Sequence, residues 1–521
     1  MTGAKQAAKS VAIIIIISFG GKILGFIRES LIGAKFGSSM ETDTFFLAMT
    51  AVSLFTTIIT RALNTTMIPV LAEIEHIEGK EGKKKHTNNL LNIVAVFSIL
   101  VIILAWVLSP VIIKIIAPGF DSNEQFNLAV LMMRIGMPTV LIAGLQGVFR
   151  GFLQSENQFT ESAAISFPFN FTYIVFLLFL SSYFGIKGLM VTSVLAVLSQ
   201  IVLQMFGLKK LNYKYEYIID FKDKYVKKIL YLIPPILISV GIGDLNKIID
   251  KSMASVLVEG SISALNYANR LDNLVRGVFI AAIATVMYPM LSKAANKDNY
   301  KEFKKVVIKG INIILLITIP ATIGMVILSN PIVKLAFQRG KFDSAATIMT
   351  AGALIFTVVG MVGTSLRALL NNAYYSLQDT KTPVVNGAIA VGVNVTFNLL
   401  LIGPMAHRGL ALATSISATV TSLLLLYGLK KKMGSFGFLT SVKCGLKSLF
   451  ASIVMGIAVF FLYKLLNHSL GTGRLGELIA LMISAVVGAL IYFVLIYLSK
   501  IEEVEWIINL MKGKLLKRNK I

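Results

Sequence analysis

Lys22, Arg28, Glu29, Asp43, Arg61, Arg134 and Arg150 interrupt apolar runs in the first half of this 521-residue chain, and Asp244, Lys247, Asp250, Lys251, Arg270, Asp272, Arg276 and Arg367 interrupt those of the second. A charge within a hydrocarbon layer costs at least a few kcal/mol unless it faces protein or water. Lys22 and Arg28 are six residues apart, which puts them within roughly 120° of each other on one helix. With Arg270 they are read as lining an aqueous cavity. Such a cavity suits an anion: arginine offers phosphate a planar fork and lysine a point charge. A simple cationic drug would be repelled. Arg150 and Arg276 either snorkel to an interface or pair locally. Neighbouring residues on a helix point about 100° apart, so Arg28 with Glu29, and Asp250 with Lys251, are expected to find their partners elsewhere.

A second group offers only oxygen. Asp250 is an intramembrane carboxylate, Asn394 and Asn398 share a face at i and i+4, and Thr414 follows on the next apolar run. Oxygen donors from three spans suit a hard cation such as Na⁺ better than a transition metal. The alternative is that Asp250 pairs with Lys247 while the asparagines cap backbone. The chemistry of an enzyme is missing. There is no G-x-x-x-x-G-K-[ST] loop for ATP and no Ser/His/Asp set. Of the four histidines, His86, His407 and His468 read as isolated loop residues. Cys444, the single cysteine, excludes an internal disulfide and a multi-cysteine metal site. The expectation is a non-enzyme with no cofactor beyond a possible coupling ion.

The elements that carry these residues follow from composition. The chain is 56% hydrophobic and 15% charged, with a mean hydropathy of +0.78, against about 45–50% and 25% in soluble domains. A helical crossing needs roughly 20 apolar residues. Runs of that length fall near 10–36, 43–72, 88–117, 126–152, 161–184, 187–208, 229–257, 262–292, 305–336, 344–372, 383–404, 408–429, 438–467 and 475–499. This predicts an all-α polytopic membrane protein of about 14 spans, with Met1–Lys9 leading into the first of them rather than forming a cleaved signal. The net charge of +24 comes from lysines in alternate loops. These are Lys80 and Lys83–Lys85, then Lys209, Lys210, Lys214, Lys222, Lys224, Lys227 and Lys228, then Lys297–Lys305, then Lys430–Lys432, and last the tail from Lys512 to Lys520. That asymmetry is the positive-inside pattern and not a nucleic-acid footprint, and it places both termini in the cytoplasm.

The chain also repeats itself. Met67-Ile-Pro-Val-Leu matches Met287-Tyr-Pro-Met-Leu, Leu108-Ser109 with Lys114 matches Leu328-Ser329 with Lys334, and Gly207-Leu-Lys-Lys210 matches Gly428-Leu-Lys-Lys431, all at an offset of about 220 residues. Six spans per repeat gives two parallel halves, an N lobe over 1–210 and a C lobe over 211–432, with the substrate site expected near the midplane at the repeat interface. Spans 13 and 14 (433–500) and a basic tail (501–521) lie outside the repeat.

Several motifs carry a resemblance. They are Gly21-Lys-Ile-Leu-Gly-Phe-Ile-Arg-Glu29 with Phe36-Gly37, Thr42-Asp43-Thr-Phe-Phe46, Pro69-Val-Leu-Ala-Glu73, Ala117-Pro-Gly-Phe120, Tyr267-Ala-Asn-Arg-Leu271, Phe337-Gln-Arg-Gly-Lys-Phe342, Gln378-Asp-Thr-Lys-Thr-Pro383 and Ile402-Gly-Pro404. Together they resemble the MurJ (MviN) lipid II flippases of the multidrug/oligosaccharidyl-lipid/polysaccharide exporter superfamily, over nearly the whole chain and least over spans 13–14. The resemblance implies two six-helix lobes, alternating access, and a bacterial inner-membrane protein. The substrate it implies is undecaprenyl-pyrophosphate-linked disaccharide-pentapeptide, moved from the cytoplasmic to the outer leaflet. It places pyrophosphate-binding cavity residues at Lys22 (usually arginine), Arg28, Glu29 (usually aspartate), Asp43 and Arg270. Span 2 departs from the pattern: an expected Arg-Arg pair reads Thr56-Thr57 and the following Glu-Gly reads Arg61-Ala62. Arg61 lies one turn from Thr57 on the same face, so it is expected to supply the displaced charge. The resemblance also implies a sodium site in the second lobe on Asp250, Asn394, Asn398 and Thr414, with Asn398 where a second carboxylate is usual. For spans 13–14 it implies a groove for the polyprenyl tail, the alternative being extra packing helices. Two other readings stay open: a flippase for another polyprenyl-linked glycan, and a membrane enzyme acting on polyprenyl phosphates.

Overall fold

The computed structural model describes residues 2–295, 300–434, 437–471 and 473–505; the tail lysines from 512 onward, and Lys297, lie outside them. Every described regular element is helical. The first nine helices are α1 (Thr2–Phe36), α2 (Met40–Val107), α3 (Ser109–Ile116), α4 (Asn123–Gly136), α5 (Thr139–Ser155), α6 (Phe159–Ala164), α7 (Ser166–Val175), α8 (Ser181–Lys210) and α9 (Lys224–Ser255). A π-helical turn over Phe176–Leu180 joins α7 to α8. The remaining nine are α10 (Ser261–Ala295), α11 (Tyr300–Ile327), α12 (Ser329–Phe337), α13 (Ser344–Val359), α14 (Met361–Ser376), α15 (Lys381–Met405), α16 (His407–Met433), α17 (Phe438–Ser469) and α18 (Arg474–Leu498).

All fourteen apolar runs fall on these helices. Among the described residues eight helical stretches are long and apolar enough to cross a membrane, or nine when the α13–α14 pair, bent by 43°, counts as one. Two of the eight are longer than one crossing: α2 has 68 residues and the stretch Phe159–Lys210 has 52. Each contains two of the expected spans, joined at a glycine of positive φ, Gly79 (φ 72°) in α2 and Gly185 (φ 56°) in α8. Both turns need the conformation that glycine reaches without a Cβ clash. The arrangement is compatible with fourteen spans, and the chain is a multi-pass membrane protein.

The histidines correct the sequence reading. His86 sits inside helical α2, His407 opens α16 and His468 lies in the last turn of α17; the short polar stretches between spans, loops by composition, are places where the helices run on.

The backbone repeats as the sequence does. Pro69 and Pro289 both lie within helices. Leu108 and Leu328 both break a span, and each N–H donates four residues back at 2.9 Å. Asn157 and Gln378 both take positive φ, at 60° and 59°. Gly185 recurs as Ala406, at φ 50° and ψ −133°. A left-handed turn built on alanine is strained, and here the repeat geometry imposes it.

The chain divides into two compact units. One is Met1–Ser263 with Arg339–Asp343; the other is Ala264–Gln338 with Ser344–Ile521. In the first, α2 packs along α5, where Gly144, Gly147 and Gly151 would each bring a Cβ to within 2.8–3.1 Å of Val94, Leu63 or Met67. Small residues at such an interface let backbones approach closely, which is how helices gain packing energy in lipid. Compact unit and sequence repeat are different partitions, because α9, the first helix after the repeat boundary, packs on α2 and α3. In the second unit, α10, α11, α14 and α16 share a core that includes Leu291, Phe303, Val307, Leu370, Tyr374 and Leu425. There α17 and α18 pack on each other and on α11 and α12.

Candidate functional site

Arg28 is the best-defined of the expected cavity cations. Gly21 brings α1 against α7 so closely that a Cβ there would lie 2.1 Å from Ser166 Oγ. This approach sets the Arg28 guanidinium 5.0 Å from the Tyr173 ring centroid and 5.3 Å from that of Phe169. Stacking on aromatic faces holds the fork without using its N–H groups. One of those, Nη2, donates to Glu29 Oε1 at 2.6 Å. This contact corrects the expectation that adjacent Arg28 and Glu29 cannot meet: Cα–Cβ vectors 100° apart are bridged by the length of the arginine side chain. Arg28 Nε has no hydrogen-bond partner among the described residues. A guanidinium has five N–H donors, so capacity remains for an anionic oxygen.

Lys22 on the same helix is exposed, as is Arg270 on α10; Arg270 belongs to the other compact unit. Arg61 on α2 is exposed too, and its guanidinium makes no hydrogen bond or ion pair among the described residues. Thr56 and Thr60 turn their hydroxyls back to helix carbonyls, so Arg61 is the one strong cation this stretch of α2 presents. Arg61→Ala should therefore slow transport roughly ten- to a hundredfold, the worth of one charge-assisted contact. Adding Thr57→Arg should recover part of it in a vesicle transport assay.

Asp43 also holds two helix ends together. Its carboxylate is 4% exposed and accepts from Gly260 N–H at 2.8 Å, Ser263 N–H at 2.7 Å and Ser263 Oγ–H at 2.5 Å. A residue at the start of α2 thus caps the start of α10, taking up N–H groups that a helix terminus leaves unpaired. Nearby, Ser38 Oγ donates to Gly260 O at 3.1 Å, Met40 N to Glu259 Oε1 at 2.6 Å and Gly119 N to Ser255 Oγ at 3.2 Å. Lys341 N donates to Ala34 O at 2.9 Å.

These contacts close one end of the first unit backbone against backbone, and three glycines make that possible. A Cβ on Gly340 would lie 2.1 Å from Ala34 O, one on Gly119 2.4 Å from Ser255 O, and one on Gly37 2.5 Å from Lys341 O. All three belong to motifs singled out in the sequence, Phe36-Gly37, Ala117-Pro-Gly-Phe120 and Phe337-Gln-Arg-Gly-Lys-Phe342. Sequence reasoning had given those glycines no role. The available signal was a glycine within two residues of a phenylalanine in three short motifs that are far apart in the chain. Lys251 extends the closure, donating to Phe46 O at 2.8 Å and Thr50 Oγ1 at 2.6 Å. Both of these partners lie on α2.

The oxygen group is split. Asn398 Nδ2 donates to Asn394 Oδ1 at 3.0 Å, Asn394 Nδ2 to Thr414 Oγ1 at 3.2 Å, and Thr414 Oγ1 to Leu410 O at 3.1 Å. Both asparagines are buried, at 1% and 0% exposure. Asp250 is half-buried on α9, in the other compact unit. The donors are hard oxygens and match sodium in kind. Asn394 Oδ1 and Thr414 Oγ1 each accept one hydrogen bond in this chain, and each oxygen has a second lone pair. Among the described residues no group of three His, Cys, Asp or Glu side chains could hold a metal.

The Gln378–Pro383 motif is structural. Asp379 accepts from Thr382 N at 2.9 Å and Thr382 Oγ1 at 2.7 Å and pairs with Lys432. Burial alone would raise its carboxyl, but Lys432 and Thr382 outweigh burial and bring it down to about 2.

Comparison with known proteins gives these features a family. The family model described as "Lipid II flippase MurJ" matches residues 32–512. A probable lipid II flippase MurJ of Rickettsia prowazekii (strain Madrid E) is 28% identical over 502 residues, covering 95% of this chain and 98% of its own. A lipid II flippase MurJ of Burkholderia cenocepacia is 28% identical over 422 residues, covering 79% and 81%. Among solved structures, a lipid II flippase MurJ in an inward closed conformation superposes with a TM-score of 0.77 at 24% identity, covering 92% and 97%. An inward-facing multidrug transporter of the MATE family, from the MOP superfamily, gives 0.67 at 14% identity, covering 81% and 100%. Since the family match takes in all but the first 31 and last 9 residues, the chain belongs to the MurJ family of lipid II flippases.

Proposed function

We propose that this protein moves lipid II, the undecaprenyl-pyrophosphate-linked disaccharide-pentapeptide, from the cytoplasmic to the outer leaflet by alternating access, with no covalent chemistry. The observation that carries the reading is Arg28, braced by two rings and one carboxylate with N–H capacity left over. A fork held in place binds a pyrophosphate oxygen with little ordering cost. Lys22, Arg61 and Arg270 would add further cations. Both termini would lie in the cytoplasm. The polyprenyl tail would stay in lipid along α17 and α18, whose outward faces carry Leu446, Phe450 and Phe461 on the first and Met482, Val486 and Leu490 on the second, each more than half exposed. Purified protein in vesicles should flip mass-resolved lipid II faster than other polyprenyl-linked glycans. Equal rates for all of them would remove lipid II as the specific substrate.

The energy source follows from the same reading. Each charge moved across the membrane is worth about 2.3 kcal/mol per 100 mV, and a sodium gradient is the form that Asp250, Asn394, Asn398 and Thr414 would serve. Flipping should run faster in sodium than in potassium, and Asp250→Asn should erase that difference while leaving lipid II binding unchanged. A wild-type rate insensitive to sodium would leave proton or potential coupling.

A further inference from the structure

The segment that joins α8 to α9 is held in a way that transport chemistry does not account for. Asn88, Asn89 and Asn92 of α2 are buried, at 1%, 1% and 7% exposure, and buried amides need partners. Asn88 Nδ2 donates to Lys214 O at 3.0 Å, Asn92 Nδ2 to Ile218 O at 3.0 Å and Asn89 Nδ2 to Asp220 O at 3.0 Å, while Asp220 N donates to Asn89 Oδ1 at 2.7 Å. The carbonyls that face α2 belong to even-numbered residues. A segment whose alternate carbonyls point the same way is extended, so over 213–220 its side chains alternate between two faces; Phe221 and Lys222 follow in a turn that Asp223 N–H closes onto Asp220 O at 3.4 Å.

The two faces differ in chemistry. The even face carries Lys214, Glu216 and Asp220 with Ile218 among them. The odd face carries Tyr213, Tyr215, Tyr217 and Ile219, of which Tyr215 is 58%, Tyr217 77% and Ile219 36% exposed; Phe221, in the turn that follows, is 58% exposed. Two contacts give the direction of the odd face. Tyr213 packs on Phe149 and Phe152 of the spanning helix α5, at centroid distances of 6.3 and 4.9 Å. Tyr215 Oη donates to Asn92 Oδ1 at 2.7 Å, one turn deeper along the second half of α2 than Asn88, which Tyr213 Oη reaches at 2.5 Å. That half of α2 enters the bilayer as residue numbers rise, so these contacts hold the segment at the membrane boundary; Tyr213 faces protein, against the buried Phe152, and the exposed odd side chains from Tyr215 onward are the ones that meet lipid.

We propose that residues 213–220 form an amphipathic strip seated in the lipid headgroup layer on the lysine-rich side. Tyr215, Tyr217 and Ile219 enter the interface, and Lys214, with Lys222 of the turn that follows, reaches lipid phosphates from the water side. Tyrosine favours this depth because its ring is apolar and its hydroxyl is not, and juxtamembrane lysines are drawn to anionic headgroups. The asparagines are what turn a linker into a strip, because they fix its backbone and therefore its faces. The proposal does not depend on which substrate the protein moves.

The experiment is a nitroxide scan of full-length protein in phosphatidylethanolamine/phosphatidylglycerol vesicles. On a Cys444→Ala background, single cysteines replace Glu216, Tyr217, Ile219 and Asp220. Labels at 217 and 219 should show a several-fold higher ratio of relaxation by oxygen to relaxation by a water-soluble nickel chelate than labels at 216 and 220. Equal chelate access at all four sites would overturn the strip. Asn88→Leu with Asn92→Leu should erase the alternation in protein that still inserts. Alternation that survives this change would overturn the positioning role of the amides.

Discussion

Arg28→Ala should abolish lipid II flipping while leaving membrane insertion intact, and Arg28→Lys should show why. The lysine keeps a positive charge beside Glu29, which is 2% exposed and costly to leave with less compensation. What it loses is the planar fork and its stacking on Phe169 and Tyr173. One bidentate contact of this kind contributes roughly 3 kcal/mol, or about a hundredfold in rate. Arg28→Lys should therefore melt near the wild type and still transport at least tenfold more slowly. Arg28→Ala with Glu29→Gln separates the remaining roles. Removing the carboxylate's charge together with its partner should restore stability without restoring flipping. Recovery of transport in that double variant would assign Arg28 a structural task only. Arg270→Ala, at an exposed position, should lose transport with little change in stability.

The sequence was a good guide to the helices because their position depends on one summed property, the hydropathy of about 20 neighbouring residues. It was a poor guide to where helices end, because the turns at Gly79 and Gly185 keep the helical pattern on both sides, and that is how His86 was read as a loop residue. The error at Arg28–Glu29 has a different cause. The 100° rule concerns where Cβ vectors point, and a long side chain can bend back across that angle. The Asn88–Asn92 group went unremarked for a third reason. Three asparagines on a helix carry no apolar or charge signal, and their partners are backbone carbonyls more than 120 residues later. Contacts to backbone leave little trace in residue type, which also hid the closure at Gly37, Gly119 and Gly340. The repeat was legible at both levels, and its imprint on Ala406 shows that the fold holds this turn even where the sequence no longer supplies glycine.

Asp43→Ala should have the largest effect on which conformation the protein occupies. The carboxylate takes three donors from Gly260 and Ser263, and truncation leaves two backbone N–H groups without it where water has poor access. Each hydrogen bond to a charged group contributes about 1.5–3 kcal/mol. Allowing for partial rehydration once the closure loosens, a net loss of roughly 3 kcal/mol shifts a two-state balance about a hundredfold toward the form in which this end is open. Asp43→Asn should fall between, since its amide retains one oxygen but offers a donor where donors already converge. Gly340→Val tests the same balance from the other side. Its Cβ would lie 2.1 Å from Ala34 O, so it opposes closure without touching Asp43. Both variants should raise the reactivity of a cysteine at Ser38 toward an impermeant thiol reagent, and both should slow flipping by depleting the closed form. Lost flipping with unchanged reactivity at position 38 would instead place Asp43 on the substrate.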